Sequence, residues 1–170
     1  MTLFPYTTLF RSGVRCVNDD NQLGAWLATR HLLEGGARRV AAIFGPLAHH
    51  SVSLRAKGFR RALYEAGRLF DPDYEVTLDP ALEYREAGRD AMRRLLDLPE
   101  PPDAVFAYND STAIFAIEVC RERGLRVPED IRFIGPGDRR RQIGRAVQQE
   151  CRDRLLNLVC RLLLEKKKFF

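Results

Sequence analysis

The stretch from Pro102 to Gly135 constrains the fold more than any other part of the chain. Ala104 to Ala107 is a short apolar run after a Pro-Asp turn, the pattern of a fully buried strand. Asn109, Asp110 and Ser111 follow it, and these residue types stop strands and cap helix N-termini. Ala113, Ile114, Ile117 and Cys120 then recur at steps of three and four, which predicts one apolar helix face. Gly124 is placed to end that helix in a left-handed cap, with Arg121 and Arg123 complementing the negative end of its dipole. After Pro128, Ile131 to Ile134 reads as a second buried strand. Strand, helix and strand within so short a span form a unit whose strands run parallel.

The same alternation extends upstream. Val14 to Asn18 reads as a strand, Asp19 to Asn21 as turn and cap, and Gln22 to Glu34 as a helix presenting Leu23, Trp26, Leu27, Leu32 and Leu33. Gly35-Gly36 terminates it, and His31 falls in its last turn as a packing and capping residue. Val40 to Phe44 is the next strand, followed by a loop from Gly45 to about Ser53. Leu54 to Ala66 reads as a helix with Phe59, Leu63 and Tyr64 on its apolar side, ended by Gly67. Tyr74 to Leu78 is a strand, and Tyr84 to Leu96 a helix carrying Ala87, Ala91, Leu95 and Leu96. An alternation of this kind predicts an α/β fold, an open and mostly parallel sheet with helices on both faces. Ligands of such sheets bind beyond the carboxyl ends of the strands, which nominates the loops after Asn18, Phe44, Leu78, Tyr108 and Ile134.

The net charge of +5 raises the question of nucleic acid, and its location answers it. Residues 138–170 hold ten Lys/Arg against four Asp/Glu, and Arg11 adds one more positive charge, so residues 13–137 carry −2. The basic balance belongs to the ends and is poor evidence for DNA binding by the globular part. Residues 1–12 lack the basic-then-apolar order of a signal peptide and are too short to span a membrane. Three segments are therefore expected: a leader at 1–12, a globular domain at 13–137, and a basic tail at 138–170. The two ends read as foreign to the fold. The alternative for the tail is a real helix, because Ile143, Val147, Cys151, Leu155, Val159 and Leu162 keep a helical stripe. Cys16, Cys120, Cys151 and Cys160 show no paired spacing for zinc, so neither metal nor cofactor is expected.

PDAVFAYNDSTAIFA followed by GLRVPEDIRFIG resembles the effector-binding domain of the LacI/GalR transcription regulators, and VNDDNQLGAWLATRHLLEGGARRVAAIFGP does so too. The resemblance runs from about Arg15 to Gly135 and implies a periplasmic-binding-protein-like subdomain. It implies that Arg55, just before Gly58-Phe59, reaches an effector cleft, that His49 and Ser51 lie in a ligand-contacting loop, and that Tyr84 falls near a stacking aromatic. Asn109 and Asp110 stand on their own chemistry. A carboxylate accepts two hydroxyl hydrogen bonds and an amide supplies donor and acceptor, which suits a sugar- or nucleoside-like effector. Each residue also has a plain structural role open to it: a helix cap for Asn109 or Asp110, a solvated side chain in the first helical turn for Arg55, a polar loop for His49 and Ser51.

The pattern breaks after FIG, where the family carries a ligand-binding Asp; here the chain reads FIGPGD and Asp138 is displaced. No counterpart of the family's DNA-binding head precedes Gly13. The implied role is sensing a small molecule within a cytoplasmic regulator, dimeric when intact, that meets operator DNA only through that head and touches no membrane. The alternative is a periplasmic sugar-binding protein of an ABC importer. No enzymatic residue set is evident.

Overall fold

The computed structural model describes residues 20–135. The expected strand at Val14–Asn18, the tail stripe, Cys16, Cys151, Cys160, Asp138 and both chain ends lie outside the described residues. The elements are α1 (Asn21–Glu34), β1 (Val40–Phe44), α2 (His50–Glu65), a 3-10 turn (Pro72–Tyr74), β2 (Glu75–Thr77), α3 (Tyr84–Leu96), β3 (Ala104–Ala107), α4 (Asp110–Glu122) and β4 (Arg132–Ile134).

The strands form one sheet in the order β2-β1-β3-β4, every neighbouring pair parallel. β1 and β3 are central and buried along their whole length, which is why they read as unbroken apolar runs. Alternate residues serve opposite faces. Val40, Ala42, Phe44, Ala104 and Phe106 pack with α1 and α2, where the rings of Phe44, Phe59 and Phe106 meet pairwise with centroids 5.9 Å apart. Ala41, Ile43, Val105 and Phe133 pack with Ala87, Ala91, Met92 and Leu95 of α3 and Ala116, Val119 and Cys120 of α4. The α/β sheet covered on both faces is thus the fold.

Two details depart from the sequence pattern. Helix α2 begins at His50, not Leu54, and its cap residue His49 makes no side-chain capping bond, so no capping residue marks the start. The buried helix faces are also narrower in side-chain size than expected. α1 buries Ala25, Ala28, Thr29 and Leu32 while Leu23 stays 43% exposed. α4 buries Thr112, Ala116, Val119 and Cys120, leaving Ala113, Ile114 and Ile117 half-buried, and Tyr64 of α2 is 83% exposed. Close approach explains it for α1 and α2: Gly58 of α2 sits so near α1 that a Cβ there would lie 2.1 Å from the Gln22 carbonyl oxygen. Small residues occupy the seams, and the larger aliphatics are displaced to their margins.

Trp26 lies at the outer edge of this seam. Its indole N–H donates to Glu65 Oε2 at 2.7 Å, and the guanidinium carbons of Arg30 and Arg61 sit 4.7 and 5.5 Å from its ring centroid. Across α3 and α4, Arg89 bridges Glu118 (3.2 Å) and Glu122 (2.6 Å). Among the described residues, no helix is long and apolar enough to cross a membrane.

Candidate functional site at the carboxyl edge of the sheet

From β1 the chain moves outward to β2, then returns past β1 to β3 and on to β4. The reversal falls between β1 and β3, and open α/β sheets hold ligands outside the carboxyl ends of their strands at such a point. Four loops or helix starts meet there, and the residues singled out from sequence are distributed among them.

Arg55 lies in the second turn of α2, because that helix starts at His50. The expectation of a solvated arginine in the first helical turn is therefore corrected, and hydrogen bonding explains its position instead. Its Nε donates to Asn21 Oδ1 at 2.8 Å, and Nη1 donates to the Tyr108 carbonyl. One planar fork thus ties the start of α1, the second turn of α2 and the end of β3.

Asn109 is the N-cap of α4, its Oδ1 accepting the Thr112 N–H at 2.9 Å. The cap role expected for one of the pair belongs to it, and Asp110 is released from that duty. Asp110 opens α4, half-buried, with Oδ1 3.6 Å from where a Cβ on Gly135 would stand. Its carboxylate therefore lies over the end of β4, favoured by the positive end of the α4 dipole. Tyr84 opens α3, and its hydroxyl lies 2.9 Å from Asn109 Oδ1, 2.8 Å from Asn109 Nδ2 and 3.0 Å from Thr112 Oγ1. Its ring stands edge-on to Phe115 at 5.8 Å.

His49 and Ser51 are exposed at the start of α2, and no side-chain hydrogen bond joins either to this network. They share its edge of the sheet without sharing its bonds. Among the described residues, no group of three His, Cys, Asp or Glu side chains is placed to hold a metal ion.

Tyr108 is the residue that sequence reading passed over. It extends the β1–β3 ladder through its N–H to the Ile43 carbonyl at 2.9 Å, and its hydroxyl donates to the Tyr84 hydroxyl at 3.2 Å. Its ring lies on Gly45, where a Cβ would fall 2.7 Å from Cζ. Burial, reinforced by the bond to Tyr84, pushes its phenol up to about 12. Gly45 was the available signal: a glycine directly after a buried strand marks a close approach.

Comparison with known proteins fixes the family. Residues 29–152 match the family described as periplasmic binding protein-like domain. The CytR transcriptional repressor of Escherichia coli K12 is 40% identical over 119 residues, 70% of this chain and 34% of that protein. The ribose operon repressor of the same strain is 41% identical over 122 residues, 72% of this chain and 36% of that one. The chain thus spans about a third of the length of these relatives. Among solved structures, the transcriptional regulator CelR in complex with cellobiose superposes with a TM-score of 0.63 at 40% identity, over 68% of this chain and 35% of that one. A LacI-family regulatory protein from Chloroflexus aggregans gives 0.66 at 27% identity, over 76% and 51%. These relatives are named as repressors or transcription regulators, not as components of an importer. The chain belongs to the periplasmic binding protein-like domain family, in the form carried by LacI/GalR-type transcription regulators.

Proposed function

We propose that this chain is the effector-sensing part of a LacI/GalR-type repressor and that Arg55, Asn109, Asp110 and Tyr84 form one wall of its effector cleft, with His49 and Ser51 at the rim. The observation that carries the reading is the Arg55 fork, which brings α1 and α2 to the end of β3 within two residues of Asp110. A guanidinium, a carboxylate, an amide and two phenol hydroxyls at one sheet edge match a neutral, polyhydroxylated ligand. Relatives that act on a ribose operon or bind cellobiose support a sugar- or nucleoside-like effector. The role is recognition rather than catalysis. In the intact, cytoplasmic homodimer, effector binding is coupled to operator affinity through a separate DNA-binding head.

The test is calorimetric titration of the chain with D-ribose, cytidine and cellobiose. Binding of at least one is expected, and Asp110→Ala should lower that affinity on the order of 10–100-fold through loss of charge-assisted hydrogen bonds. Absence of binding for all three overturns the sugar- or nucleoside-like assignment.

A further inference from the structure

The carboxyl ends of β1 and β3 are covered by a side chain. The Tyr108 ring leaves the end of β3 and lies across the end of β1, resting on Gly45 so closely that Cζ and Cε2 would stand 2.7 and 2.8 Å from any Cβ there. Tyr108 packs against the apolar clusters on both faces of the sheet, so it closes the seam where they meet. Its position is fixed at three points. The backbone N–H is bonded to Ile43, the carbonyl to Arg55, and the hydroxyl to Tyr84, which is itself bonded to Asn109. A ring held at both ends does not move aside without breaking bonds at the site. Yet it is only half-buried at this edge of the sheet.

We propose that Tyr108 is the specificity-determining residue of the effector site: its ring forms the floor beneath the ligand, limits how closely a ligand approaches the ends of β1 and β3, and so restricts the site to a compact, single-ring polyol. The inference rests on the effector reading above and adds the size class of the ligand. Gly45 is the second half of the device, because any side chain there expels the ring. The hydroxyl has a separate task. It continues the Tyr84–Asn109 chain to the floor, presenting a polar point where a ligand hydroxyl would otherwise meet carbon.

The test compares the wild-type chain with Tyr108→Ala, Tyr108→Leu and Tyr108→Phe by calorimetric titration. D-ribose, cytidine (the same pentose with a second ring) and cellobiose serve as probes. In the wild type D-ribose is the preferred probe. Tyr108→Ala deepens the site and shifts the preference toward the two-ring probes by at least 10-fold. Tyr108→Leu keeps apolar cover over the seam and shifts preference in the same direction, which guards against a fold defect in the alanine variant. Tyr108→Phe retains the floor, so it keeps the wild-type order while weakening all binding. If the wild type binds and the order is unchanged in Tyr108→Ala and Tyr108→Leu, the floor role is overturned while the effector reading stands. If neither wild type nor variants bind any probe, both are overturned.

Discussion

Gly58 and Gln22 are in closer contact than any side chain would allow: a Cβ on Gly58 would lie 2.1 Å from the Gln22 carbonyl oxygen and 3.0 Å from the Trp26 nitrogen. Both obstacles are backbone atoms and cannot rotate away. Gly58→Ala must therefore separate α1 from α2, and overpacking of this kind costs about 1–3 kcal/mol. Gly24, one turn into α1, meets nothing within 4 Å. There the same change gains helix propensity of roughly 0.5–1 kcal/mol. Urea melts of the two variants should move in opposite directions, and a shared direction would contradict the seam.

The division of labour between Asn109 and Asp110 is testable on stability alone. Asn109 caps α4 and holds the Tyr84 hydroxyl, so Asn109→Ala should lose about 1–2 kcal/mol. Asp110→Ala removes only a favourable charge in the first turn, worth about 0.3–1 kcal/mol. Thermal melts of the pair should rank them in that order. The ligand titration should rank them the other way.

Arg55 is expected to matter to the fold as well as to the ligand. Its bonds to Asn21 and the Tyr108 carbonyl are made by one partly buried guanidinium, so Arg55→Ala should cost about 1.5–3 kcal/mol. Arg55→Lys should not restore it, because a single ammonium cannot reach two acceptors in a fixed fork. Recovery of full stability in the lysine variant would show that charge, not geometry, matters there.

Alkaline pH should weaken the domain by a predictable route. Burial pushes the Cys120 thiol from an ordinary 9.0 up to about 12, and the Tyr108 phenol from 10.0 up to about 12. Both groups stay protonated in the folded chain over a range where the unfolded chain has lost those protons. Their contribution is complete below pH 9.0 and is lost as pH rises toward about 12. Cys120→Ala should flatten the early part of that decline and Tyr108→Phe the later part, read from urea midpoints at successive pH values.

The layout of the fold was legible because its signals are local. Tyr84–Leu96 and Ala104–Ala107 were placed to the residue, since Pro99 to Pro102 separates them and each is continuously apolar or periodic. The start of α2 was not legible, because His49 carries no capping signal. The helix faces were misread where Ala25, Ala28 and Gly58 make the seam, since periodicity points to Leu23, Leu27 and Tyr64. At the site, Arg55, Asn109 and Asp110 were marked by type and position. Tyr108 was not, because a tyrosine ending a strand looks like one more strand residue. Its importance comes from Gly45 and Arg55, both more than 50 positions away.

The placement of Trp26 carries a practical consequence. It is the single tryptophan of the chain, seated on the outer edge of the α1–α2 seam against Arg30, Arg61 and Glu65. Selectively excited indole emission is therefore a gauge of how these two helices are joined. Arg55 and Asn21 link the same two helices at the carboxyl edge of the sheet, so an effector that draws Arg55 away from Asn21 would register in the colour of a fluorophore on the far side of the seam, with no label attached.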